Sequence, residues 1–583
     1  MEDELLIDKV KIRGFKGFGI KREIDFSNLT LLFGGNSSGK STTIQSLMIL
    51  KQTCVSKGSF YDLLINGKYM SLGNWNDIIY RRLDGTKAET LEFGIDVSSK
   101  ENELGENFEY NWEFKHSPVK PIDNKYVNNI YLKSFELTSV TEKFDFEEND
   151  KNVLVNSNTK SRINSIVMDK LLPQSVEIKY NEKYNDLIIE FIGELYESLF
   201  NQLKDKKIKR MKKNLDYEKD KTNIEESISL LTSTYLKEDH FHELETSYSK
   251  TDVIFGALEL IRKMEVGLGL ESGGLSQGPN FILLIVSASS LIDLKERVEA
   301  YQTKITEITN DTTEAFREIK LNNENQVSRV SDIEEFSQIY TASETISSVL
   351  SRIKYLGPIR ERPRGNYDYD ADNDPSYVGM NGQHLPFILT HFKDLKILTP
   401  MPDGKENEIK FEESLNTWLK YIGLADKVKT DIDHGIELSV IEKGIKSKIG
   451  NVGIGVSQVL PVLALGLLSQ KEDILIFEQP ELHLHPSAQS KLVDFFVNLI
   501  KHGRQIIIET HSEYFLHRLR YLILDGKIEE EKIKILFFDK TVRGVTVKQG
   551  ELNESGNFKY PKNYKDTTED LIKKILDKKI ERM

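Results

Sequence analysis

The pattern of hydrophobic and polar positions changes twice along the chain. Up to about residue 160 it alternates. Leu91, Phe93, Ile95 and Val97 step by two, as do Phe108, Tyr110, Trp112 and Phe114, and then Tyr131, Lys133, Phe135 and Leu137. Two is the period of half-buried antiparallel strands. Ile7, Val10, Ile12 and Phe15 form an apolar series around Gly14, and LTLLF at 29–33 is an unbroken apolar run that ends in a glycine pair. The segment after Ser41, TTIQSLMILKQ, predicts a helix. From 161 to 350 the texture is helical. Leu291, Leu294, Val298, Tyr301, Ile305, Ile308, Thr312, Ala315 and Ile319 are spaced by alternating threes and fours, a coiled-coil seam. A helix of roughly 30 residues would reach about 45 Å, either as a projecting arm or packed within one domain. Beyond 351, β-runs at 474–477 and 505–508 flank a helical stretch at 487–501, a β-α-β order suited to a parallel sheet. Three regions follow: a mostly β lobe at 1–160, a helical insertion at 161–350, and an α/β lobe at 351–583.

Composition narrows the class. The chain has 583 residues, 39% hydrophobic and 29% charged, which is ordinary for a folded protein. No apolar run reaches the ~20 residues of a membrane span, and the N-terminal MEDELLIDKVKIRGF lacks a signal-peptide pattern. Cys54 is the single cysteine, which excludes an intramolecular disulfide and a cysteine-built metal site. A cytoplasmic protein with no membrane partner is expected. The net charge of −13 opposes non-specific adhesion to nucleic acid by the whole surface. A local DNA or RNA contact stays open at the basic run 204–213 (KDKKIKRMKK), for which a solvated helix face is the commoner explanation, and at Arg360, Arg362 and Arg364, which can instead pair with nearby acids such as Glu361 and Asp368.

Four motifs carry chemistry. GGNSSGKS at 34–41 matches G-x-x-x-x-G-K-[ST] and sits between an apolar strand and a helix, the context that motif requires. Gly34, Asn36, Ser37, Ser38, Gly39 and Thr42 would wrap backbone N–H groups around phosphates at a helix N-terminus. Lys40 would place a cation on the β- and γ-phosphates, and Ser41 a hydroxyl on Mg²⁺. ILIFEQPE at 474–481 is an apolar strand ending in carboxylates. It is expected beside the P-loop strand, with Glu478 ordering the magnesium. IIIETHS at 506–512 is a second buried strand, whose His511 stands where α/β ligand sites form. VGIGVSQ at 452–458 opens an apolar helix, and Gly455 and Ser457 make it a second anion-binding cap.

The order P-loop, Gly/Ser signature, carboxylate strand, histidine resembles the ABC-type ATPases of the SMC and RecF group. Asn66-Gly67, Leu72-Gly73, YLGPIR at 355–360, GVSQ at 455–458 and EQPELHLHP at 478–486 are similar to bacterial ATPases related to the overcoming-lysogenization-defect family and to PtuA of Septu defence. The resemblance covers roughly 1–100 and 350–583. It implies an α/β P-loop ATPase head with an antiparallel β lobe and a helical, coiled-coil insertion. It implies ATP and Mg²⁺ as cofactors and a homodimer in which Ser457 caps the ATP of a second copy. It also implies a separate effector, such as a nuclease, in anti-phage defence. Two positions depart from the pattern. Gln45 and Gln52 lie too early to be the family's Q-loop glutamine. Gln479 stands where many relatives carry a water-activating acid, which leaves Glu481 as the acidic substitute and slow turnover as the expectation. OLD proteins carry a nuclease domain after the histidine, and about seventy residues are too few for one here. The rival readings are an ATP-dependent nuclease and an SMC-like DNA tether.

Overall fold

The protein is described from a computed structural model that covers residues 5–56, 63–99, 107–116, 130–139, 143–150, 153–157, 163–169, 171–181, 314–320, 334–361, 377–432 and 436–561, with single residues and pairs beyond. The chain divides into two compact units, one of residues 1–143 with 344–583 and one of residues 144–343.

The first unit is built on a six-stranded sheet in the order Ile353–Leu356, Ile474–Glu478, Gln505–Glu509, Leu29–Gly34, Ile533–Thr541, Gly544–Gln549. The first five strands are parallel and the last returns antiparallel. The sequences ILIFE and QIIIE are apolar up to a terminal glutamate and buried at every position, as strands covered on both faces must be. Pro486–Lys501, which begins on a proline at its first turn, packs over Gln505–Glu509 and Leu29–Gly34. Strands separated by such helical crossovers run parallel, so their carboxyl ends gather on one edge. Gly34, Glu478 and Glu509 all stand there.

One expectation is corrected here. Ile474–Glu478 is not adjacent to the P-loop strand; Gln505–Glu509 lies between them. Both strands are apolar enough to fill the central position, so local sequence does not choose between them.

The antiparallel part of this unit runs Arg22–Asp25, Leu5–Arg13, Thr90–Ser99, Asn107–His116, Ile130–Thr138. Leu91, Phe93, Ile95 and Val97 are buried, as are Phe108, Tyr110, Trp112 and Phe114. The third alternating series is only half right. Ile130, Leu132, Phe135 and Leu137 are the buried set, and Lys133 is exposed. A register shift opposite Glu113 and Phe114 inserts an extra residue, and a one-residue slip exchanges the two faces. The buried amide of Gln505 joins this lobe to the central sheet. It accepts from the Ile7 N–H at 3.0 Å and donates to the Ile7 carbonyl at 2.8 Å.

In the second unit, residues expected to be helical form antiparallel strands at Ile163–Asp169, Leu172–Asn181 and Glu314–Lys320. Ile319, at the far end of the expected seam, is paired with Val176. β-Branched residues at short alternating spacing pair with a neighbouring strand when one is presented, and that contact outweighs local helical spacing. The seam positions from 291 to 312 lie outside the described residues, as does the basic run 204–213.

Candidate functional site

The P-loop crosses from Leu29–Gly34 to the helix Lys40–Val55. Gly34 adopts φ 146° and Gly39 φ 114°. A Cβ at Gly34 would lie 2.3 Å from the Phe538 carbonyl oxygen, so only glycine fits that strand end. No side chain caps the helix at Gly39; the first N–H groups of a helix have no intrahelical partner, and an uncapped end can bind an anion. Asn36 and Ser37 are exposed on the loop, whereas Ser38 is buried and its hydroxyl has no partner. The loop lines a cleft of about 800 Å³ together with Ser41, Thr42, Lys16, Tyr80 and the hairpin around Val542. Gln45 is engaged by Lys16 at 2.7 Å, and the Gln52 side chain bonds the 64–70 loop backbone.

Lys40 is buried and donates to the Gly34 and Gly35 carbonyls at 3.0 and 2.9 Å. Burial pulls its ammonium below the usual value, opposed by Glu509 and by Glu478. Ser41 donates 2.7 Å to Glu509, whose other oxygen lies 3.6 Å from the Lys40 nitrogen. Sequence reasoning passed over Glu509. Its signal was available: it ends a buried strand two residues before His511, and in the structure it is the ladder partner of Glu478.

Glu478 is buried and accepts 2.8 Å from the Tyr355 hydroxyl. Burial first, then the charge of Glu509, raises its carboxyl to about 7. Arg360 is also buried. It donates to the Glu478 carbonyl at 3.0 Å and reaches that of Gln479, and burial lowers it to about 10. It is therefore an internal clamp on the carboxylate turn, not an exposed nucleic-acid contact. Arg362 and Arg364 lie outside the described residues. Gln479 sits at φ 46° with its N–H on the Glu509 carbonyl at 2.7 Å, a left-handed turn that a non-glycine residue holds only under constraint.

Glu481 accepts from the His511 backbone N–H at 2.9 Å, while its other oxygen is buried without a partner. Burial raises its carboxyl above the usual range. The His511 ring stays exposed, and partial burial and Lys40 favour its neutral form. The Ile454–Leu468 helix begins at Gly453 without a side-chain cap. Ser457 is buried and bonds back to the Ile454 carbonyl at 2.7 Å. A Cβ at Gly455 would press on the His483 carbonyl at 3.0 Å. Neither Gly455 nor Ser457 lines the P-loop cleft.

The fold is thus a mixed α/β P-loop ATPase head. The chain belongs to the AAA ATPase domain family, whose pattern it matches over residues 6–516. It is similar to Nod factor export ATP-binding protein I of Burkholderia pseudomallei (strain K96243), with 24% identity over 168 residues, 28% of this chain and 55% of that protein. It is also similar to the energy-coupling factor transporter ATP-binding protein EcfA of Methanocaldococcus jannaschii, with 26% identity over 190 residues, 27% of this chain and 67% of that protein. The chain spans about half the length of the Nod factor export relatives it matches. The SMC head domain from Thermotoga maritima aligns with 94% of this chain and 99% of its own, at 10% identity and a TM-score of 0.33. No helix among the described residues is long and apolar enough to cross a membrane.

Proposed function

We propose that the protein binds and slowly hydrolyses ATP–Mg²⁺, closes as a dimer around it, and through that closure controls a separate effector such as a nuclease. The observation that carries the reading is the uncapped helix N-terminus at Gly39, with Lys40 and Ser41 held against a buried carboxylate at the strand ends. The donor set suits magnesium. Ser41, Glu478 and Glu509 offer hard oxygens, and Mg²⁺ takes one or two carboxylates and completes its shell with phosphates and water. When bound, such a cation would supply charge neutralisation at the phosphates. Lys40 would turn from the loop carbonyls to the phosphates, and His511 would meet the γ-phosphate.

The second copy is inferred from Ser457. Its helix presents a free N-terminus yet lies outside its own P-loop cleft, so a partner chain's ATP is the anion it would cap. An anti-phage role rests on the similarity of the 355–360 and 478–486 segments to defence ATPases. Calorimetry of ATP binding to the Lys40→Ala variant tests the site. Loss of a charge-assisted contact should weaken affinity about ten- to a hundred-fold, and unchanged affinity rejects the assignment. Light scattering with and without nucleotide tests closure. A strict monomer in all nucleotide states rejects the dimer, and Ser457→Arg should weaken closure with single-subunit binding largely intact.

A further inference from the structure

Glu509 ends the strand between the P-loop strand and the Glu478 strand. Its carboxylate is buried, and its two oxygens are divided between Ser41 at 2.7 Å and Lys40 at 3.6 Å. Glu478 is placed differently, with one oxygen committed to the Tyr355 hydroxyl. A buried carboxylate is costly unless a cation or donors offset it. The described contacts of the Glu509 carboxylate are both to residues that must turn toward phosphate and metal when nucleotide enters. Something else must then meet this carboxylate. Octahedral Mg²⁺ holds oxygens at 2.0–2.1 Å, so neighbouring ligands lie about 2.9 Å apart. Ser41 and Glu509 are already at nearly that separation.

We propose that Glu509 is a direct ligand of the divalent cation that accompanies the nucleotide, shared with Ser41. In the free protein the same carboxylate holds Ser41 in place and stands beside Lys40. With nucleotide bound, Glu509 would exchange Ser41 and Lys40 for the cation, and Lys40 would be free for the phosphates. Metal and nucleotide are thereby coupled through one residue. This inference rests on the ATP–Mg²⁺ reading above.

The test uses the full chain, the non-hydrolysable nucleotide AMP-PNP, and Mn²⁺ as a paramagnetic probe. Calorimetry gives nucleotide affinity in EDTA and in Mn²⁺, and electron paramagnetic resonance titration gives Mn²⁺ affinity in the ternary complex. Glu509→Gln should lose about 10- to 100-fold in Mn²⁺ affinity, well beyond any loss of nucleotide affinity in EDTA. Glu509→Asp keeps the charge on a shorter arm and should fall between, which preserves the test if the glutamine variant does not fold. Wild-type Mn²⁺ affinity in Glu509→Gln overturns the proposal and leaves the ATP reading standing. An equal loss in EDTA and in Mn²⁺ also overturns it, because the role is then structural. Failure of the wild-type chain to bind nucleotide, or to bind it more tightly with Mn²⁺, rejects the ATP–Mg²⁺ reading itself.

Discussion

The hydroxyl of Tyr355 donates a 2.8 Å hydrogen bond to Glu478, 123 positions away in the chain and one strand over in the sheet. Both side chains are buried, so neither can exchange this partner for water. Above pH 7, where Glu478 is mostly ionised, Tyr355→Phe should cost about 1.5–3 kcal/mol of stability, the range for hydrogen bonds to charged groups. A double-mutant cycle with Glu478→Leu, which removes the acceptor, followed by urea unfolding, isolates the pair. A coupling of about 1 kcal/mol or more is expected; strict additivity would show that the two act independently.

Gln505 should couple the two sheets of the first unit. Its amide satisfies both backbone groups of Ile7, and each buried group left unpaired costs about 1–3 kcal/mol. Gln505→Leu should lower the unfolding midpoint and speed hydrogen exchange at the Ile7 amide. Unchanged exchange there would mean that the lobe is held elsewhere.

Water activation is the least familiar feature of the site. General-base help is worth about 10²–10⁴-fold in rate, and Gln479 cannot supply it. Glu481, the acidic substitute expected from the sequence, has one oxygen on the His511 N–H. Gln479→Glu should raise steady-state turnover if that position faces the attacking water. Glu481→Gln should lower turnover if Glu481 is the base. If Glu481 only anchors the histidine turn, Glu481→Gln should leave turnover unchanged at saturating ATP and instead disturb the His511 resonances in NMR spectra. No change in either variant would place activation elsewhere, or make another step slow.

Lys51 gives a pH signature. Buried against the Leu350 and Ser351 carbonyls, its ammonium is pulled from 10.5 to about 8, chiefly by burial. The folded value lies below the unfolded one, so between about 8 and 10.5 the unfolded chain binds more protons and stability rises with pH. Relative to Lys51→Met, the wild-type chain should gain up to roughly 3 kcal/mol across that window. Chemical unfolding at pH 7.5 and 10 measures it; a difference independent of pH would mean that Lys51 titrates normally.

The P-loop and its flanks were legible because they are local. A glycine-rich turn between an apolar strand and a helix needs only its own residues to specify its geometry, as the φ values of Gly34 and Gly39 show. The Glu478 and His511 strands were equally legible from their apolar runs. Their order in the sheet was not, because helical crossovers let either run take the place beside Leu29–Gly34, and packing of whole faces makes the choice. That choice brings Glu509 to Ser41 across 468 positions and sets Tyr355 and Arg360 against Glu478. The same limit accounts for the errors. A bulge opposite Phe114 exchanged the faces of the 130–138 strand, and strand pairing overrode helical spacing at 314–320. Short-range periodicity sets what a segment can become; contacts between segments distant in the chain set which neighbour completes it.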